Sequence, residues 1–169
     1  MNMWRIATLG TLLVTASLIA SPAPVTAASS ASTRLQSLVG SWSCTSKGTM
    51  GTTTSTSTAS MVGDKFVKFA GTVPAAGKRP AHTSEGFLGY DATKQQWVYL
   101  EVNTLGEYSV AKSNAAPTAM TQTWVDAYPV DPNDGPSTLR FTSPTSYTLD
   151  AAWKENGKAM SSHSVCTKQ

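Results

Sequence analysis

The chain carries only two cysteines, and they stand at opposite ends of its folded region, Cys44 in "SWSC" and Cys166 in "HSVC". In an oxidising compartment a sole pair of cysteines reads as one disulfide. That bridge would enclose 121 intervening residues. The chain-entropy account assigns on the order of 4.7 kcal/mol to a loop of about 100 residues. Its geometric demand constrains the fold more: bridged cysteines need Cα atoms within roughly 7 Å of each other. The first and last elements of the domain must then be neighbours in space.

The compartment is read from the N-terminus. Arg5 supplies a short positive region, residues 6–20 ("IATLGTLLVTASLIA") form an apolar run, and "SPAPVTA" places Val25 and Ala27 at the −3 and −1 positions of a cleavage site. This is the pattern of a secretory signal peptide over residues 1–27. The apolar run is shorter than the roughly 20 residues a bilayer core requires. Later segments carry no apolar run of spanning length, so no membrane span is expected in the mature chain. The expected location is secreted or periplasmic.

Without its leader the chain has 12 Lys and Arg against 10 Asp and Glu. So small a balance, with no basic cluster, gives no footprint for nucleic acid or an anionic membrane surface. Residues 34–169 are enough for one domain with a real core, and a monomer is expected. Residues 28–33 ("ASSAST") read as a disordered lead-in. Residues 33–40 ("TRLQSLVG") predict a short helix capped by Ser32 or Thr33, with Leu35, Leu38 and Val39 on one face and Gly40 as its end.

From there on the chain is a run of short Thr-, Val- and aromatic-rich segments cut by Gly, Pro, Asn and Asp. Strands are expected near 41–47, 54–62, 65–71, 84–90, 96–103, 106–113, 118–126, 137–142, 145–153 and 158–166. Asn156-Gly157 is the strongest turn signal, because a type I′ hairpin needs positive φ at both central positions. Alternation sets Trp97, Tyr99 and Glu101 on one face of their strand, and Tyr147, Leu149, Ala151 and Trp153 on one face of theirs. About ten antiparallel strands in sequence would leave two exposed edges, and closing the sheet removes both. The expected fold is therefore all-β, an antiparallel up-and-down barrel with a short N-terminal helix, stapled by Cys44 and Cys166 across the closing seam. A two-sheet sandwich is the competing architecture.

The stretch Gly40-Ser41-Trp42-Ser43-Cys44 after a short helix resembles the start of calycin-superfamily barrels, the lipocalins and their relatives. With Gly89-Tyr90-Asp91, Trp97 and Cys166-Thr167-Lys168, the chain looks most similar to the lipocalin-like secreted proteins gathered under DUF1579. The resemblance implies Trp42 packed across the closed end of the barrel. No second or third lipocalin motif is present, so the ligand habits of true lipocalins are not carried over.

Candidate chemistry is sparse. Some calycin relatives hold haem through a late histidine, which makes His163 a haem-ligand candidate, but the Gly-x-Gly start of those relatives is missing. His82 sits in a loop beside Pro80. One free histidine with a bridged cysteine pair does not make a zinc site. "DPNDGP" (131–136) fails the spacing of a calcium loop and reads as a turn. No serine occupies a nucleophile elbow. No cofactor is expected, and an enzyme working through paired carboxylates is a less favoured reading.

The aromatic residues Trp97, Tyr99, Tyr108, Trp124, Tyr147 and Trp153, with the acid Glu101, form the candidate ligand-binding set; Gln122 and Asp126 are candidate polar partners. The expected function is binding of a small hydrophobic or aromatic molecule inside the barrel. The alternative is a module that binds proteins through its surface.

Overall fold

The computed structural model describes residues 23–77 and 79–169. A helix, α1 (Ala23–Leu38), precedes ten strands: β1 (Gly40–Gly48), β2 (Gly51–Val62), β3 (Phe66–Val73), β4 (His82–Asp91), β5 (Gln96–Asn103), β6 (Tyr108–Ser113), β7 (Thr121–Tyr128), β8 (Ser137–Ser143), β9 (Ser146–Glu155) and β10 (Lys158–Lys168). Each strand pairs antiparallel with its neighbours in sequence, and β1 pairs with β10 to close the barrel. Most of the expected leader, residues 1–27, lies outside the described residues. Among the described residues no helix is long and apolar enough to cross a membrane.

The seam runs from Trp42 opposite Lys168 to Gly48 opposite Ser162. Cys44 and Cys166 face each other directly in this register, with Cα atoms 4.0 Å apart, and are joined by a disulfide. At Asn156-Gly157 both residues have positive φ, 50° and 76°, as the type I′ turn between β9 and β10 requires.

α1 is longer than the sequence predicts. Residues 28–33, expected as a disordered lead-in, are helical. Thr33 is not a cap but sits mid-helix, its hydroxyl donating to the Ser29 carbonyl at 3.1 Å. The reason is tertiary. Ala31, Leu35 and Leu38, spaced i, i+4 and i+7, are all buried against the barrel end. A small alanine inside a Ser/Ala-rich stretch is a weak periodicity signal, and only docking reveals it as a contact. Arg34 ties the helix to the β6–β7 connection through the carbonyls of Pro117, Thr118 and Ala119, and its guanidinium lies over the Phe141 ring, 4.2 Å from the centroid.

Beneath α1 lies the apolar core: Trp42, Val67, Leu88, Trp97 and Phe141 are buried from different strands. Trp42 is 2 % exposed, and its indole N–H donates to the Leu38 carbonyl at 2.8 Å. The side chain therefore fills the closed end and satisfies one of the carbonyls that a helix C-terminus leaves unpaired.

Replacing both Cys44 and Cys166 by alanine is expected to lower unfolding free energy by about 2–5 kcal/mol, given the length of the enclosed loop. Denaturant titration of the double variant against the oxidised protein measures this; equal midpoints would contradict it.

Candidate functional site at the open end of the barrel

Register and burial together assign every strand two faces. On β5 the lumenal residues are Trp97, Tyr99 and Glu101; on β7 they are Gln122, Trp124 and Asp126; on β9, Tyr147, Leu149, Ala151 and Trp153. The face predicted from alternation on β5 and β9 is the lumenal one. Tyr108 is the exception in the candidate set. It pairs with Val102, an outward position, and stacks on Tyr128 outside the barrel with centroids 5.7 Å apart. The Tyr108 hydroxyl donates to that of Tyr128 at 3.4 Å, a bond that raises the Tyr108 pKa above the usual phenol value. The sequence reading could not place it, because the turn at 104–107 sets the β5–β6 register and so decides which parity of β6 points inward.

The lumen is not uniformly open. In the closed half Trp97 packs edge-on to Tyr90 with centroids 5.1 Å apart, and Tyr147 lies between Trp42 and Phe141. These aromatics are core. The Trp97 indole N–H is buried and finds no partner among the described residues. Tyr99 and Glu101 occupy the middle of the barrel, where the Tyr99 hydroxyl donates to the Glu101 carboxylate at 3.1 Å. Burial, then the Glu101 charge and that hydrogen bond, push the Tyr99 phenol well above its usual range, so it stays protonated and donating. The phenol fits because β4 offers Gly86 beneath it: a Cβ built there would collide with the Tyr99 ring and hydroxyl.

A cavity of about 220 Å³ remains at the open end. Its walls are Trp124 and Asp126 of β7, Ala111 of β6, Ser137 of β8, Ala151 and Trp153 of β9, and Asp134 and Gly135 from the β7–β8 connection. That connection contains the "DPNDGP" segment, and a turn is what it forms. The Asp131 carboxylate accepts from the Asn133 amide at 2.8 Å, and the Asp134 N–H donates to the Asp131 carbonyl at 3.1 Å. The turn then folds back over the barrel mouth. Gly135 N–H donates to Ala152 and Lys154 N–H to Asn133, both at 2.8 Å. Gly135 is needed for that approach, since a Cβ there would sit 2.8 Å from the Ala152 carbonyl oxygen.

The turn brings the Asp134 carboxyl to Asp126. Partial burial, a hydrogen bond with Asp126 and the charges of Asp126 and Asp131 all raise the Asp134 pKa above the ordinary carboxyl range. Among the described residues neither Asp126 nor Asp134 takes part in an ion pair. Of the candidate set, Trp124 and Trp153 line the cavity; Trp97, Tyr99, Glu101 and Tyr147 face the lumen deeper in. Asp134 and Gly135 also line the cavity, and sequence reasoning missed both. The only signal for them was a turn motif, and no local pattern says what a turn will cover.

His163, the haem-ligand candidate, lies on the outer wall. It is about half exposed and bonds through Nδ1 to the Asp150 carboxylate at 2.6 Å. The other acids are on the surface, Glu85 with Lys68 at 2.9 Å and Glu107 with Arg79. An apolar stripe marks the outer wall of β5–β7, where Leu100, Val102, Tyr108, Val125 and Tyr128 are all exposed.

The sequence model of the family described as "Protein of unknown function (DUF1579)" matches residues 28–143. The chain belongs to the DUF1579 family. The match runs from within α1 to the end of β8, so that β9 and β10, with Cys166, lie beyond it. No curated protein matches the chain in sequence. Among solved structures, Rv2717c from M. tuberculosis is similar with a TM-score of 0.60 at 13% identity, over 82% of this chain and 97% of that one. The S-type phycobiliprotein lyase CPES from Guillardia theta is similar with a TM-score of 0.54 at 12% identity, over 80% and 90%. At such identities the likeness is one of fold, and the DUF1579 chain shares with both a closed β-barrel.

Two outcomes test this geometry. Gly86→Ala is expected to displace the Tyr99 ring and cost about 1–3 kcal/mol of stability, read by denaturant titration; a neutral substitution would show that the ring is not confined. For Asp134, a raised folded-state pKa means the folded chain holds the proton more tightly than the unfolded one. That contribution to stability is full below the ordinary carboxyl pKa and is lost as pH rises through the folded value. Asp134→Asn should therefore gain stability over the native chain as pH rises above about 4, with the difference shrinking again in more acid solution. A pH series of thermal melts measures it, and a constant difference would refute the shift.

Proposed function

We propose that this protein is an exported barrel that holds a small, partly apolar molecule at the open end of its lumen. The observation that carries the reading is the cavity between Trp124 and Trp153. In the closed half of the lumen the core aromatics pack on one another, and this cavity lies beyond them; a more open groove of about 470 Å³ runs over β2–β4 but has no comparable pair of aromatic walls. Two indoles supply apolar wall, and Ser137 with two carboxylates supply the few polar groups that orient a ligand in such a site. At about 220 Å³ the cavity is smaller than the roughly 300–1,000 Å³ of drug-sized ligand pockets, which selects a compact occupant. Secretion or export to a periplasm is supported by Arg5, the apolar run 6–20 and the small residues before Ala28, together with a disulfide that an oxidising compartment would preserve.

Binding to another protein is the second reading. The observation that favours it is the exposed apolar stripe on β5–β7, since contiguous apolar surface marks interaction sites more often than chance placement does.

Titration with benzyl alcohol, a compact neutral probe, separates the two. With tryptophan indoles labelled by ¹⁵N, the N–H signals of Trp124 and Trp153 are expected to move while those of Trp42 and Trp97 stay. Four indole signals that do not respond at millimolar probe would sink the lumenal reading and leave the outer wall as the candidate surface.

A further inference from the structure

We infer that the mouth cavity is a site for a small organic cation, a protonated or quaternary amine, held between the indoles of Trp124 and Trp153 and facing the carboxylates of Asp126 and Asp134. The inference rests on reading the cavity as the ligand site and names the chemical class of its occupant.

The charge of the wall is the first argument. The cavity lining contains two acids and no Lys, Arg or His, although basic residues outnumber acidic ones in the chain as a whole. Elsewhere on the barrel the acids Glu85, Glu107 and Asp150 are paired with Lys68, Arg79 and His163. The two at the mouth line one cavity and, among the described residues, have no basic partner. Like charges brought together without a counter-charge raise the local negative potential, and low-dielectric walls focus it. An arriving cation relieves that repulsion; a neutral molecule does not, and an anion adds to it.

The walls themselves are the second argument. The face of an indole is the best of the aromatic surfaces for a cation, worth about 0.5–1 kcal/mol at exposed sites and about 2 or more where water is excluded. Trp124 and Trp153 reach the cavity from β7 and β9, on either side of β8, where the short side chain of Ser137 leaves the space between them open. Aromatic walls with carboxylates at one end are the arrangement that recognises alkylammonium groups. A bare metal ion is served less well: among the described residues no third His, Cys, Asp or Glu joins the two carboxylates to complete a ligand set, and the indoles offer a metal nothing.

Access to the cavity also favours a cation. The β7–β8 turn that carries Asp134 is anchored to β9 by backbone bonds from Gly135 and Lys154. Asp134 is thereby held at the rim, where a positively charged group entering from solvent meets it first and Asp126 second.

The test compares benzyltrimethylammonium with benzyl alcohol and benzoate on the indole ¹⁵N signals of the full mature chain, with calcium as a fourth arm. The cation is expected to bind at least tenfold more tightly than the alcohol, and benzoate more weakly than either. Asp134→Asn, at the exposed rim and so safe for folding, and Asp126→Asn should each weaken the cation about tenfold, at least threefold more than either weakens benzyl alcohol. Should the alcohol bind as well as the cation, or should neither substitution discriminate between them, the cation inference falls while the lumenal reading stands. Calcium shifting the same indole signals at lower concentration than the ammonium would also overturn it in favour of a metal. If no probe moves Trp124 or Trp153, both the inference and the reading beneath it fall.

Discussion

Without the seam between β1 and β10, a ten-strand meander would end in two rows of unpaired backbone N–H and C=O groups, open to any other strand. Closure pairs both rows at once. Seven consecutive positions pair across the seam, from Trp42–Lys168 to Gly48–Ser162, and the disulfide stands inside that register. Non-local strand pairing is entropically the most expensive contact in such a topology, because the whole chain must be gathered to make it. A covalent link at that place acts on the costliest step. Everything else, the lumen included, exists because the sheet has an inside.

An inside has two ends, and the chain treats them differently. At the closed end α1 supplies Ala31, Leu35 and Leu38, and the strands supply Trp42, Val67, Leu88, Trp97 and Phe141. Large rings and a helix fill that volume, as dense packing in protein interiors demands. At the other end the inward side chains turn short or polar: Ala111, Ser137, Ala151, Asp126. The change leaves a void bounded by Trp124 and Trp153. The division of labour follows from α1, which can plug only one mouth. The other is left to loops, and the β7–β8 connection partly covers it.

Much of this was legible beforehand. Ten strands, an up-and-down closure, the bridge and the inward faces of β5 and β9 follow from a period of two, from turn residues at intervals and from two cysteines. The candidate site was legible in part. Trp124 and Trp153 were named among its residues, and Asp126 as a polar partner. Tyr108 was included although it lies outside, because alternation within β6 does not say which parity faces in; the β5–β6 turn does. Asp134 could not be read as a site residue at all. Its neighbours in the chain describe a turn, and the Asp126 carboxyl it meets belongs to another strand.

Side-chain period, turn chemistry and thiol count are local properties, so the residues alone fix the kind of surface each segment presents and that its two ends must meet. Which aromatics fill the barrel, which line a cavity, and that two acids share its mouth emerge only in the folded arrangement. Those are matters of register and of where a loop comes to rest, and both are set by contacts between residues far apart in the chain.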